Sequence, residues 1–270
     1  MPACQFLLDY PRKQPGATRI LILTPTRELA LQVYEQAVAI TKHTQLVCGV
    51  ITGGINYGTD KETLSKNLDI LVATPGRLLE HIEKEAADCR DIECLILDEA
   101  DRMLDMGFQA TIDDIIAETP TDRQTLLFSA TFPDEQASGG LTAMTRGVMR
   151  EPVMVKIAEV HDASTIQQHF YNVANEEARF DALRQLLLAY RPASSVVFCN
   201  TKRETQAVAE QLTDAGFSAV ALNGDLEQKD RDRILILFAN QSASILVATD
   251  VAARGLDIAQ LDAVFNYQIA

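Results

Sequence analysis

The chain has 270 residues, 47% of them hydrophobic, with few Gly and Pro and a formal net charge of −14. That length supports two ordinary globular domains. The acidic balance excludes a protein that grips nucleic acid by a generally basic surface, though not a narrow basic track or backbone N–H groups set against phosphates. No apolar run approaches the roughly 18–20 residues of a membrane span. Residues 1–15 carry no basic segment followed by a long apolar one, so neither a membrane nor a secretory role is expected. The five cysteines (Cys4, Cys48, Cys89, Cys94, Cys199) are odd in number and form no C-x-x-C pair, which points to buried thiols in a reducing, cytoplasmic setting. His81 with Cys89 and Cys94 fits no common zinc spacing, and the two cysteines read as core residues.

Taken in order, residues 1–18 give a short helical fragment (Phe6, Leu7, Leu8, Tyr10) and then a polar loop. I-L-I-L at 20–23 is too short for a helix and reads as a buried strand. A helix is predicted from Leu29 to about Lys42, with Leu29, Val33, Ala37 and Ile40 on one face. Strands follow at Leu46–Thr52, ending in Gly53-Gly54, and at Asp69–Ala73, ending in T-P-G-R, with a helix from Leu78 to about Lys84. C-L-I-L-D-E-A-D (94–101) is a short apolar strand with Asp98 and Glu99 at its carboxyl end. One helix carrying Leu104, Phe108, Ile112 and Ile115 and a strand at Thr125–Phe128, ending in S-A-T, complete this half.

Alone, D-E-A-D supports two readings. The acids cap the following helix, where negative charge is favoured. Alternatively, one carboxylate holds Mg²⁺ through its water shell while the other orients and deprotonates a water for attack on a phosphoryl group. The alternation of strand and helix predicts a parallel sheet covered on both faces. Thr26, Arg27, Gly53, Thr74, Arg77, Asp98, Glu99, Ser129 and Thr131 all follow strands, so one rim of that sheet gathers them.

The pattern breaks at 133–165. Ser138, Gly139 and Gly140 weaken any helix there, P-V-M-V-K-I (152–157) looks strand-like, and a polar stretch follows. The first domain is placed at 1–158, a linker at 159–165 and a second domain at 166–270. Alternation then resumes, with helices at Glu176–Tyr190, Glu204–Ala215 and Gln228–Ala239. Strands are predicted at Ser195–Cys199, Ala219–Leu222, Ile245–Ala248 and Val264–Tyr267. Two similar α/β units in tandem suggest a ligand in the cleft between them.

P-T-R-E-L-A-L-Q (25–32), G-G (53–54), T-P-G-R (74–77), D-E-A-D (98–101), S-A-T (129–131) and A-T-D-V-A-A-R-G-L-D (248–257) occur in this order. The set resembles the DEAD-box RNA helicases, over essentially the whole chain. The resemblance implies two tandem RecA-like parallel-sheet domains with ATP and Mg²⁺ as cofactors, RNA across both, and a role in bacterial ribosome assembly on ribosomal RNA or pre-ribosomal particles. By resemblance Asp98 positions Mg²⁺ and Glu99 activates the attacking water. Asp101, Ser129 and Thr131 couple the nucleotide to the RNA face, and Gly255 and Asp257 reach the ATP ribose. Thr26, Arg27, Gly54, Thr74, Gly76, Arg77, Gln228, Arg231 and Thr249 match positions that touch the RNA backbone. The residue chemistry agrees: Arg77 can neutralise a phosphate, Gly54 and Gly76 allow close approach, and the threonines donate hydroxyls. Contacts of this kind carry no base sequence, so sequence-indifferent binding is expected. Arg102 is expected to pair with a nearby acid rather than with a ligand.

The 270 residues contain no Gly-rich run ending in G-K-T or G-K-S, whose backbone and Lys would hold the β- and γ-phosphates, and no H-R-x-G-R-x-x-R motif. Residues 1–24 match the segment that follows such a loop. The expectation is therefore a truncated chain with both domains incomplete, the absent strand belonging beside the D-E-A-D strand, and with little ATPase activity. A second class of function, a non-catalytic RNA- or protein-binding remnant, stays open.

Overall fold

The computed structural model describes residues 1–12, 16–131, 140–157, 167–249 and 261–268. The chain divides into two compact units, Met1–Lys156 and Ile157–Ala270. The linker placed at 159–165 and the Ser138-Gly139 break lie outside the described residues.

In the first unit, helix α1 (Pro2–Asp9) precedes strand β1 (Ile20–Leu23), helix α2 (Arg27–Thr41), strand β2 (Cys48–Ile51), helix α3 (Tyr57–Leu64), strand β3 (Ile70–Ala73) and helix α4 (Pro75–Glu83). Strand β4 (Cys94–Leu97), helices α5 (Ala100–Asp105) and α6 (Gln109–Ala117), strand β5 (Gln124–Leu127) and helix α7 (Gly140–Val148) follow. The five strands form one parallel sheet in the order β2-β3-β1-β4-β5. Its register sets Leu23 opposite both Ala73 and Leu97, Ile51 opposite Ala73, and Leu97 opposite Leu127. All five strands therefore stop at one level. Alternate side chains divide between the faces, as strand geometry requires. Leu21, Leu23, Leu71, Leu95 and Leu97 pack with Leu78, Met103, Ile112 and Ile115 of α4, α5 and α6. On the other face Ile20, Ile70 and Cys94 pack with Leu7 of α1.

In the second unit, helix α8 (Glu176–Tyr190) leads to strand β6 (Ser195–Cys199), helix α9 (Lys202–Asp214), strand β7 (Ala219–Leu222), helix α10 (Gln228–Ala239) and strands β8 (Ile245–Thr249) and β9 (Ala263–Asn266). This sheet is also parallel, in the order β7-β8-β6-β9. Leu183, Leu187, Val197, Leu212 and Val247 form one core, and Val196, Leu222, Phe238 and Leu246 the other. Both sheets are the α/β architecture expected.

Several details differ from expectation. The helix expected through Leu104–Ile115 is two helices, because the chain turns at Gly107 (φ +79°), a conformation glycine adopts without steric cost. Helix α3 has no apolar periodicity (Y-G-T-D-K-E-T-L) and is started by Asn56, whose side chain accepts from Gly58 N. P-V-M-V-K-I is not a strand; Val153, Val155 and Ile157 stand in solvent. Helices α2 and α4 start earlier than predicted, with Thr26 as N-cap of α2 and Pro75 as first residue of α4, a position where a missing N–H costs nothing. Tyr190, expected on an apolar face, is exposed, and its hydroxyl lies 2.9 Å from that of Tyr171. The place expected for a further strand beside β4 is taken, since β1 and β5 pair with its two sides; β2 and β5 are the edges of this sheet.

Candidate functional site

Because the strands of the first sheet end level, the residues just beyond them form one rim. Asp98 continues the ladder, its N–H donating to the Leu23 carbonyl (3.0 Å). Its carboxylate accepts from Glu99 N (3.1 Å). Burial, and then the neighbouring Glu99 carboxylate, raise the Asp98 carboxyl above its ordinary range, against the pull of that one hydrogen bond. Glu99 itself sits in the left-handed region (φ 51°, ψ 53°) as N-cap of α5. A non-glycine residue is held there only by its surroundings. Two restraints are visible: Ala100 N donates to the Phe128 carbonyl (2.9 Å), and Arg102 Nη1 donates to Glu99 Oε2 (2.9 Å). Arg102 thus pairs with an acid, as expected.

Asp101, on the first turn of α5, reaches across to the segment after β5. Its Oδ2 accepts from Thr131 N (2.9 Å) and Thr131 Oγ1 (2.6 Å), and Ser129 Oγ donates to the Thr131 carbonyl (2.6 Å). Burial works to raise the Asp101 carboxyl. The hydrogen bonds from Thr131 and from Arg102 N outweigh it and hold the group below the usual carboxylate range.

The other rim residues belong to three turns. Thr26 accepts from Leu29 N through its hydroxyl (3.3 Å), and Thr74 accepts from Gly53 N in the same way (3.3 Å). Each hydroxyl is used as an acceptor, so its own proton remains for an anionic oxygen. Arg27 opens α2 beside Thr26. Gly54 has φ +78°, which requires glycine. Gly76 is exposed in the first turn of α4, and a Cβ built there meets nothing within 4 Å beyond its chain neighbours and its own helix backbone. Neither its conformation nor its packing calls for glycine, and the open space faces outward.

Arg77 comes to the same rim but is engaged within it. Its Nε donates to Asp60 Oδ2 (2.5 Å), its Nη1 to Glu80 Oε2 (2.8 Å) and its Nη2 to the Ile55 carbonyl (2.8 Å). Asp60, on α3, is almost fully buried and also lies 3.3 Å from Nε2 of the buried His81. The His81 ring stacks on Tyr57 at 4.3 Å between centroids. Sequence reasoning missed Asp60, His81 and Tyr57. The available signal was Arg77, His81 and Lys84 at spacings of four and three on one helix, a charged stripe beside an apolar one.

In the second unit, Gln228 is the first residue of α10, its Nε2 donating to Asp232 Oδ1 (2.8 Å), Arg231 lies on the same helix, and Thr249 closes β8. Gly255 and Asp257 lie outside the described residues. Among the described residues no cluster of three or more His, Cys, Asp or Glu side chains could hold a metal. Cys89 and Cys94 are core thiols as expected, pushed up by burial to about 12 and about 11.

A DEAD/DEAH box helicase family model matches residues 1–138, and a helicase conserved C-terminal domain model matches residues 178–270. The chain is 44% identical over 256 residues to the ATP-dependent RNA helicase DbpA of Escherichia coli (strain K12), covering 94% of this chain and 54% of that protein. It is 42% identical over 270 residues to the ATP-dependent RNA helicase SrmB of the same organism, covering 100% and 60%. The chain therefore spans a little over half the length of these relatives. Among solved structures, S. cerevisiae Dbp5 bound to RNA and ADP BeF3 superposes with a TM-score of 0.84 at 27% identity, covering 100% of this chain and 68% of that one. A DEAD box protein from Methanococcus jannaschii does so at 0.50 and 36%, covering 100% and 72%.

Proposed function

The chain belongs to the DEAD/DEAH box helicases, and from that premise we propose that it is the core of an ATP-dependent RNA helicase. The acids after β4 serve ATP hydrolysis, and the rim of the first sheet holds RNA by its backbone. The observation that carries this reading is the level ending of five parallel strands, which sets Asp98, Glu99, the Asp101–Thr131 pair, Thr26, Gly54 and Thr74 along one edge.

The residues present fit a divalent cation held with a nucleotide. Asp98 offers a half-buried carboxylate that burial disfavours as an anion, and a nearby cation would relieve that cost. With no cluster of three ligands among the described residues, the fit is to Mg²⁺ held by one carboxylate through water, the rest of its shell coming from phosphate oxygens. Bound there, Mg²⁺ would neutralise phosphate charge. Glu99, fixed by its backbone and by Arg102, is the base that orients and deprotonates water. Asp101, Ser129 and Thr131 link the end of β5 to α5, and so link the nucleotide acids to the RNA rim. We assign Gly255 and Asp257 to the ribose, and Thr26, Arg27, Gly54, Thr74 and Gly76, with Gln228, Arg231 and Thr249 in the second unit, to the RNA backbone. Hydroxyls, glycines and backbone N–H groups read no bases, so binding is indifferent to sequence.

A ribosomal RNA or pre-ribosomal target rests on the motif resemblance, and the five cysteines, none in a disulfide, suit a reducing cytoplasm. For these 270 residues alone we propose little ATP turnover, because they contain no G-K-T or G-K-S loop for the phosphates. The same fact favours, as a second reading, RNA binding without catalysis. The test is RNA binding and ATP turnover by the purified chain, with two single-stranded RNAs of unrelated sequence. Equal affinities and negligible turnover are expected. RNA-stimulated turnover would overturn the inactivity, and failure to bind either RNA would overturn the RNA rim.

A further inference from the structure

Resting on the RNA-rim reading, we propose that Arg77 is a positioning residue rather than a phosphate contact. With Asp60 and His81 it forms a buried clamp that holds the Gly53–Ile55 turn where RNA is bound. Three of the five guanidinium N–H groups are spent inside the unit, on Asp60, Glu80 and the Ile55 carbonyl. The guanidinium fork matches those three acceptors at once, which a lysine cannot do. The side chain is 11% exposed, and that of Asp60 only 2%. The buried Asp60 carboxylate also weakens the positive field that a phosphate would feel at Arg77.

The connections run in the direction a clamp requires. Asp60 sits one turn into α3, its N–H donating to the Asn56 carbonyl (3.4 Å), so fixing its carboxylate fixes the start of that helix. Asn56 caps the same helix through Gly58 N (2.8 Å). The Ile55 carbonyl held by Arg77 is the residue between that cap and Gly54. On the other side Gly53 N donates to Thr74 Oγ1, and Thr74 N to the Ile51 carbonyl (3.2 Å). The turn after β2 and the turn after β3 are thereby tied at two points, one through Thr74 and one through Arg77. His81, one helical turn beyond Arg77 and fully buried, donates to Asp60 Oδ2 through Nε2 and is stacked against Tyr57. It walls the carboxylate from water and confines it to the orientation that meets Arg77.

The two roles differ in what salt does to binding. Each phosphate contact removed lowers the magnitude of the slope of log K against log[salt] by roughly 0.7 on a single strand. A positioning residue changes affinity and leaves the slope alone. The experiment titrates single-stranded RNA into the wild-type chain and into Arg77→Ala, Arg77→Lys and Asp60→Asn at several salt concentrations. The expected result is that all three variants bind roughly tenfold more weakly, the worth of about one charge-assisted hydrogen bond, with the wild-type slope. Weakening by Asp60→Asn is diagnostic, since removing a negative charge would otherwise favour RNA. If Arg77→Lys binds like wild type while Arg77→Ala lowers the slope by roughly 0.7, Arg77 is a phosphate contact and the proposal fails.

Amide exchange without RNA gives an independent arm. Arg77→Lys is expected to speed exchange at Gly53, Gly54 and Ile55 at least tenfold while the β3 amides keep their protection. Unchanged exchange at the turn would overturn the clamp. Glu80→Ala, which removes only a partly exposed partner, gives a smaller acceleration of the same amides should the other variants fail to fold. No acceleration in that folded variant would likewise overturn it. A wild-type chain that binds no RNA would overturn the underlying reading, and the exchange arm would still decide whether Arg77 holds the turn.

Discussion

In the first unit, polar residues beyond the strands are fastened to one another from different elements. Asp60 of α3 meets two residues of α4, and Asp101 of α5 meets two groups of Thr131 beyond β5. In the second unit, the comparable pair beyond β6 and β7, Lys202 with Asp225, has side chains 54% and 71% exposed. Both sheets place polar residues on a rim by the same parallel geometry, yet among the described residues the first withdraws a carboxylate, Asp60, from water to hold that rim, while the Lys202–Asp225 pair of the second stands in solvent. A buried carboxylate is costly unless its partners are in place, so the first rim is set when the unit folds. The exposed pair of the second contributes little to anything.

The comparison breaks if variants in the two rims behave alike. Arg77→Ala leaves Asp60 buried without its main partner and is expected to cost about 3 kcal/mol or more, read as the shift of the urea midpoint. Leu97→Ala, at the fully buried end of β4, is expected to cost roughly 2–5 kcal/mol. It provides the scale against which the polar loss is judged. Thr201→Ala, removing the N-cap whose hydroxyl accepts from Glu204 N in α9, is expected to cost about 1 kcal/mol. Lys202→Ala is expected to cost less than about 1 kcal/mol, and less still at high salt. A Lys202 effect equal to that of Arg77 would dissolve the distinction.

Acid sharpens the same contrast. The hydrogen bonds to Asp101 depress its carboxyl in the folded unit. The folded chain therefore binds that proton less readily than the unfolded chain does. The resulting stabilisation is fully present above the unfolded value of about 3.9, and it is lost as pH falls through the depressed folded value. Thr131→Val should cost on the order of 1 kcal/mol near neutral pH. That difference should shrink toward zero as pH falls below about 4, in urea titrations at stepped pH. A difference that persists undiminished in acid would mean that the Thr131 hydroxyl acts by packing.

Much of this was legible in the sequence, and the exceptions share a cause. I-L-I-L, I-L-V-A and C-L-I-L announce central strands because buried parallel strands are apolar on both faces. Their ends then locate Thr26, Thr74, Asp98 and Glu99 without any structure. Helix α3 was illegible because it docks through a carboxylate, Asp60, rather than through an apolar stripe. The division of α5 from α6 hung on the single residue Gly107. P-V-M-V-K-I carries the β-branched composition of a strand but no strand pairing, since composition describes a segment and pairing describes its neighbours. The engagement of Arg77 was hidden for the same reason. T-P-G-R fixes where the guanidinium starts, and only α3 determines where it goes.

The central claim is that RNA lies along the rim of the first sheet, and backbone amide exchange with and without a single-stranded RNA tests it most directly. The account predicts that added RNA slows exchange at 26–27, 53–55 and 76–77, while the solvent face of α6 is unaffected. RNA that binds and leaves those three turns exchanging at their free rates would contradict it.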